Sequence, residues 1–415
     1  MKHANEQNIP NYLNVNTNHP LIYDSHNYNS IQKFITINSQ DRDINKYPFA
    51  NQFEVELPQD YLNVLNISVY NWTLPNSYNV FSDKLHNINM TFQINNPYNP
   101  GEHSLSDPLQ NYIFEALVSN MYNNYTINIS NGNYTSNEMV TELTNKFNYA
   151  VSEYIINYFT EKGYTSQLSD FIANGYYQEF VIVYNKVKKN VWFGNRSSGF
   201  TLTNSIAVNN NKNIFQIQNC GAKYGLIHPD DNEYGLPKHL GLTKLDEYSI
   251  NSPYNADLTK FFYLTGSSSD WLTPNPLLPG STTSFIEATN KLELIGPDSF
   301  YIEVYGYSCI DEMYPYTESK FTNQTNQTSG IINASLMKIP APIITEDVNY
   351  ISGQVSSQFF PYRFFNPPVD RLRKLLVRLR YHNGSLVDLD NFNYSFMIKI
   401  LTLTPQINKI ITVPH

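Results

Sequence analysis

Gln52-Phe-Glu-Val-Glu-Leu57 decides the fold class. Phe53, Val55 and Leu57 fall on one side of an extended chain and Glu54 and Glu56 on the other, the period of two that marks a half-buried strand. The same alternation returns near the far end of the chain, in Tyr394-Ser-Phe-Met-Ile-Lys-Ile-Leu401, and in Leu375-Leu-Val-Arg-Leu-Arg-Tyr381, where Leu375, Val377, Leu379 and Tyr381 share one face. Between the ends lie further short runs of the same kind: Phe34–Asn38, Val64–Trp72, Ile88–Ile94, Tyr125–Ile129, Glu179–Tyr184, Asn190–Phe193, Phe200–Thr203 and Ser299–Tyr305. Pro58 is expected to end the strand that opens at Gln52, because proline has no N–H for a ladder.

One segment has the helical period instead. In Ser136-Asn-Glu-Met-Val-Thr-Glu-Leu-Thr-Asn-Lys-Phe147, the residues Met139, Val140, Leu143 and Phe147 make one buried stripe, which continues through Val151, Tyr154 and Ile155. Ser136 stands as the N-cap. With the strands around it, this forms a β-α-β-β-β unit. Gly163 to Gly175 reads as a loop, as does the Gly- and Pro-rich stretch from 250 to 290.

Two β-rich segments therefore flank a mixed one. The economical arrangement is mainly β: a jelly-roll-like antiparallel β-sandwich built from both ends of the chain, residues 31–105 plus 295–415, with an inserted mixed α/β unit at 106–294. Two sequential domains would also fit. Residues 1–30, polar, Asn-rich and aperiodic, are expected to be a flexible arm that serves assembly.

Composition narrows the function. Charged residues make up 15% of the chain, below the usual ~25%, and the net charge is -9, the opposite of a nucleic-acid footprint. The 33 Tyr and 24 Phe suit strands, and they also suit interfaces, where they bury much area with few rotatable bonds. The two cysteines, Cys220 and Cys309, rule out a disulfide framework and a Cys-based zinc site. The N-terminus lacks the apolar core of a signal peptide and no run approaches ~18 apolar residues, so synthesis in the cytoplasm without secretion and without a membrane span is expected.

Nothing in the sequence has the pattern of a catalytic or cofactor site. There is no phosphate-binding glycine loop, no H-E-x-x-H and no nucleophile elbow. His228, Asp230, Asp231 and His239 are irregularly spaced and read as structural or solvated; Asp388 and Asp390 read as turn residues. Neither a cofactor nor a metal is expected, and the chain reads as a non-enzyme. The charged cluster Asp41, Arg42, Asp43 lies between two strands. Its expected role is structural: the carboxylates cap backbone N–H groups and the guanidinium pairs across the loop. In the basic run Arg371-Leu-Arg-Lys-Leu-Leu-Val-Arg-Leu-Arg380, the residues Arg371, Arg373, Arg378 and Arg380 are the candidate interface, because arginine tolerates burial against a partner and pairs with carboxylates; a solvated edge that keeps strands from pairing fits the same residues equally well.

Several of these stretches, taken in order, resemble virion proteins of nucleocytoplasmic large DNA viruses, the mimivirus-like giants and their relatives. The first is Ile37-Asn-Ser39-Gln-Asp41-Arg42-Asp43, then Tyr47-Pro48, Gln52–Leu57, Val64–Tyr70 and Leu74-Pro75-Asn-Ser-Tyr-Asn79. The second is Tyr125 to Thr135 with the helix after it. The third is Arg371 to Tyr381, Asn383-Gly-Ser-Leu-Val-Asp388 and Asn391-Phe-Asn-Tyr-Ser-Phe-Met-Ile398. The resemblance implies a minor capsid or penton-like protein with a jelly-roll core, located in the virion. Its partners would be other capsid proteins, copies of itself included. It implies no catalytic residues. The alternative is a receptor- or glycan-binding module of a viral vertex or fibre, with Trp192 or Trp271 as stacking platforms.

Overall fold

The computed structural model describes residues 28–76, 78–210, 234–252, 271–313, 332–341, 350–354, 362–382, 384, 386–390 and 392–405. Most of the expected N-terminal arm, together with Cys220, His228, Asp230 and Asp231, lies outside the described residues. Tyr28 to Ser30, assigned above to the arm, open the first strand.

In chain order the strands are β1 (Tyr28–Asn38), β2 (Gln52–Pro75), β3 (Asn89–Asn96), β4 (Tyr125–Asn128), β5 (Phe180–Asn185), β6 (Asn190–Asn195), β7 (Gly199–Leu202), β8 (Glu247–Tyr248) and β9 (Ile250–Ser252). They continue as β10 (Thr283–Glu287), β11 (Ser299–Val304), β12 (Ile310–Met313), β13 (Ile332–Ser335), β14 (Met337–Pro340), β15 (Tyr350–Gln354), β16 (Tyr362–Arg380) and β17 (Ser395–Pro405). Among the described residues three helices run longer than eight residues: α1 (Pro108–Ser119), α2 (Ser136–Lys162) and α3 (Thr165–Ala173). The protein is mainly β, and among the described residues every strand pair is antiparallel.

The described residues up to Tyr78 and from Pro297 onward form one compact unit, and Asn79–Gly296 form a second. A boundary near 105, as the sequence suggests, puts Ile88–Ile94 among the end strands. The structure pairs that stretch, β3, with β4 and β7 instead, so it belongs to the second unit. Alternation shows that a strand is half buried; it does not show which sheet buries it.

The first unit is a curled antiparallel sheet in the order β1-β17-β2-β16-β11-β14, with β15 added along the end of β2. β1 and β17 pair from Tyr28↔Pro405 to Asn38↔Ser395, and β17 pairs β2 on its other side. Phe53, Val64, Ile67, Val69, Leu372, Val377, Leu379, Ile398 and Ile400 are all fully or almost fully buried, each contributing about 1.5–3 kcal/mol of transfer free energy for its side chain. Pro58 does not end β2. The ladder to β16 breaks between Lys374↔Glu56 and Leu372↔Tyr61, so Pro58 sits in a bulge where no donor is required.

The second unit holds two four-stranded sheets, β4-β3-β7-β8 and β5-β6-β10-β9. α2 begins one residue earlier than Ser136 suggested. Thr135 is the N-cap, and it forms a capping box with Glu138. Met139, Leu143, Phe147, Val151, Ile155 and Phe159 are buried along one stripe. Phe147 stacks on Phe92 with ring centroids 4.4 Å apart and meets Phe180 at 5.1 Å. This aromatic nucleus joins the helix to both sheets.

Candidate functional site

The turn after β1 is organised by Arg42. Its Nη1 donates to Ser39 O and Asn393 Oδ1, both at 2.7 Å, its Nε to Tyr47 O at 2.9 Å and its Nη2 to Pro48 O at 3.0 Å. The fork meets carbonyls and an amide, not the carboxylate that was expected. The capping role falls to Asp43, whose Oδ1 accepts the N–H groups of Asn45 at 3.0 Å and Lys46 at 3.4 Å. Asp41 stays exposed in a short 3-10 turn.

Asn393 and Tyr394 lead into β17, so these bonds tie one end of the chain to the other. Ser39 N–H donates to Tyr394 O and Tyr394 N–H donates to Ser39 Oγ, both at 2.9 Å, while Ser39 Oγ donates to Asn393 Oδ1 at 3.2 Å. The first and third stretches that carry the resemblance are therefore in direct contact here. They meet again where Gln52–Glu56 pair with Lys374–Arg378.

The arginine run divides in two. Arg371 pairs with Asp60, and Arg373 is exposed. Arg380, in contrast, is only 2% exposed. Its guanidinium meets the Glu312 carboxylate through both terminal nitrogens, with Nη1 to Oε2 at 3.1 Å, and its Nε reaches Glu303 Oε2 at 3.2 Å. Its Cζ lies 5.3 Å from the centre of the Tyr301 ring. Arg378 shares Glu303 at 3.4 Å, and His382 Nδ1 lies 3.2 Å from Glu312 Oε2. Arg380 is thus taken up inside its own unit. Leaving it without Glu312 would strand a buried charge. Of the four candidate arginines, Arg371 and Arg373 stay on the surface.

Of the remaining candidates Asp388, His239 and Trp271 are buried, Trp192 is partly buried and Asp390 is exposed. Asp388 is buried and accepts the Asp390 N–H at 3.4 Å. Trp271 is buried, and Trp192 meets it edge-on at 5.8 Å while stacking on Phe285 at 6.0 Å. Trp271 is thus closed off from solvent, while Trp192 is partly buried with Phe285 against one face. His239 is buried with Nδ1 3.1 Å from Glu293 O. Among the described residues, no group of three or more His, Cys, Asp or Glu could hold a metal ion, and no helix is long and apolar enough to cross a membrane.

Two polar arrangements went unseen in the sequence. Thr144, Asn148 and Ser152 are spaced by four along α2, and they act toward β5 as a neighbouring strand would. Asn148 donates to Phe180 O and accepts from Phe180 N–H, both at 2.9 Å; Thr144 Oγ1 accepts from Ile182 N–H and Ser152 Oγ from Tyr177 N–H, both at 3.1 Å. Nearby, Glu179 Oε1 accepts from Asn275 Nδ2 at 2.5 Å. Burial pushes the Glu179 carboxyl above the usual carboxylate range, against the opposing pull of Asn275 and Arg196. Polar residues on a helix and a lone Glu beside a strand give no periodic signal, which is why neither stands out in the chain.

No family model and no curated protein sequence matches this chain. Among solved structures, the penton protein of mavirus is similar over 91% of this chain and 99% of its own, at 11% identity and a TM-score of 0.34. A chain from the cryo-EM structure of the Sputnik virophage is similar over 90% of this chain and 98% of its own, also at 11% identity and a TM-score of 0.34.

Proposed function

We propose that this chain is a structural component of a large DNA virus particle, minor capsid or penton-like, working through protein–protein contacts and not through catalysis. The observation that carries the proposal is the meeting of the resembling stretches in one sheet. Ser39 and Arg42 bond Asn393 and Tyr394, and Gln52–Glu56 pair Lys374–Arg378. The residues behind the resemblance hold a frame together. A shell subunit needs a frame, and it needs several modest contacts that add up only in the assembled particle.

The outer surface of the first unit suits such contacts. Phe34, Phe49, Tyr350 and Tyr362 are each about half exposed, and the paired surface charges Arg371–Asp60 and Lys374–Glu56 leave little net field. Other capsid proteins and further copies of this chain are the partners this reading assigns. The virion is its location, reached after synthesis in the host cytoplasm.

The test is direct. Particles of the virus that encodes the chain are purified by density gradient, stripped of loosely bound protein, and examined by peptide mass spectrometry and by labelling with an antibody to the chain. A constant amount per particle supports the role. Confinement of the chain to the soluble fraction of infected cells overturns it, as does a saturable hydrolase activity of the purified protein.

A further inference from the structure

We infer that β1 is a self-pairing edge: two copies of this chain join their β1 strands antiparallel about a two-fold axis at Phe34, so that the sheet of the first unit runs on from one copy into the other. The inference is independent of the capsid role, since it concerns only the chain and its copy.

β1 stands at the end of the strand order, and β17 is its neighbour along all eleven residues. Ser39 N–H donates to Tyr394 O. In an antiparallel ladder the bonded pairs alternate, so Ile37, Ile35, Lys33 and Ile31 turn their backbone groups toward β17. Those of Thr36, Phe34, Gln32 and Ser30 turn away from it, and among the described residues no strand receives them.

Proteins normally blunt such an edge with proline, short length, charge or cover. The edge of β5 is covered in that way by Thr144, Asn148 and Ser152. β14, the other end of the first unit's sheet, offers four residues and finishes at Pro340. Among the described residues nothing covers β1. It contains no proline, and its one charge, Lys33, reaches back over the Tyr61 ring at 5.4 Å. Phe34 is 47% exposed and Ile31 44% exposed on this edge.

The sequence of β1 selects the register. Outward-turned residues must meet outward-turned residues. An axis at Lys33 would use the whole strand but set two ammonium groups opposite each other, which is unfavourable. An axis at Phe34 places Phe34 against the partner's Phe34, Gln32 against the partner's Thr36 and Ser30 against the partner's Asn38. It also sets Lys33 against the partner's Ile35, and gives Ile31 the partner's Ile37 as a neighbour. Tyr70, whose ring is 5.1 Å from that of Phe34, flanks the central pair on each side.

Sedimentation velocity of the full-length chain over a concentration series tests this. A monomer–dimer equilibrium is expected. Phe34→Lys puts like charges on the axis, and Thr36→Pro removes an outward N–H while leaving the β17 ladder whole; each should weaken the dimer at least about ten-fold. If either variant misfolds, cysteine scanning with Cys220 and Cys309 changed to Ser decides the matter. Phe34→Cys should cross-link to itself on oxidation, because the Cα atoms of a bonded antiparallel pair lie about 5.5 Å apart. Gln32→Cys, facing Thr36, should not. A single monomeric species at every concentration overturns the inference. So does a dimer indifferent to Phe34→Lys and Thr36→Pro, or a Gln32→Cys cross-link as efficient as that of Phe34→Cys.

Discussion

Removing the Arg42 side chain should open the seam between the two ends of the chain. Four acceptors, Ser39 O, Asn393 Oδ1, Tyr47 O and Pro48 O, lie 2.7 to 3.0 Å from the guanidinium. A hydrogen bond to a charged group is worth about 1.5–3 kcal/mol when buried, and this guanidinium is half-buried, so about 1 kcal/mol for each bond is the better figure. Arg42→Ala should therefore cost about 3–4 kcal/mol locally, and Arg42→Lys, which keeps one or two of the four bonds, about 2 kcal/mol. Asp43→Ala, which frees two exposed N–H groups, should cost no more than about 1 kcal/mol. Because the chain has two compact units, a single melting temperature would blur the effect. The right measurement is native-state hydrogen exchange at Ser39 and Tyr394, whose amides lie in the seam. Exchange there should quicken by about a hundred-fold or more in Arg42→Ala and far less in Asp43→Ala. Equal exchange in the two variants would refute the assignment of Arg42 as the fastener.

Three further outcomes follow from the same geometry. Asn148→Leu should leave the Phe180 N–H and C=O without partners at about 1–3 kcal/mol each, and amide exchange at Phe180 should rise; unchanged exchange there would show that α2 does not close the β5 edge. Glu179 has a folded-state carboxyl raised above its ordinary value of 4.5, so the folded state holds its proton longer and stability falls as pH rises from about that value; Glu179→Gln should flatten the fall, and an unaltered urea-midpoint-versus-pH curve would refute it. Arg380→Met should destabilise by about 3–5 kcal/mol because Glu312 is left buried and short of a partner, whereas Arg371→Met should cost less than about 1 kcal/mol; equal losses in a urea titration would mean that the Arg380–Glu312 pair is not buried.

Much of this fold was legible residue by residue, and the misses have physical causes. Phe53 and Leu57 are buried and Glu56 exposed, as their alternation predicts. Pro58 misled because a proline ends a strand only where a partner needs its N–H, and the bulge opposite Arg373 removes that need. The cap of α2 was misplaced by one residue although the clue was present: Glu138 stands three residues after Thr135, not after Ser136. α1 has an Asp107 cap and Pro108 in its first turn, but its apolar stripe is too short to stand out in the sequence. α3 lies inside the stretch bounded by Gly163 and Gly175 that reads as a loop. Both glycines sit at positive φ just beyond helix ends, so they punctuate helices and do not mark a loop. For Arg380, alternation correctly set it opposite the face of Leu379. It could not show that Glu303 and Glu312, both more than sixty residues away, are brought onto that same face.

The contrast between β5 and β1 shows why the edges carry more functional information than the core. A core residue answers to packing within its own chain, and Phe147 or Leu379 would be buried in any protein of this fold. An edge must be closed by something, because unpaired backbone groups are templates for another strand. In the second unit the closure is internal and made of side chains: Thr144, Asn148 and Ser152 sit at helical spacing opposite Ile182, Phe180 and Tyr177. In the first unit the seam at Ser39 and Asn393 locks β1 onto β17 on one side, fixing which of its backbone groups turn the other way. That outward side carries no proline and, among the described residues, no covering strand, and apolar Phe34 stands among its residues. A strand held rigid on one side and left sticky on the other has already lost most of the conformational entropy that pairing would cost. That preorganisation is what turns a bare edge into a contact surface.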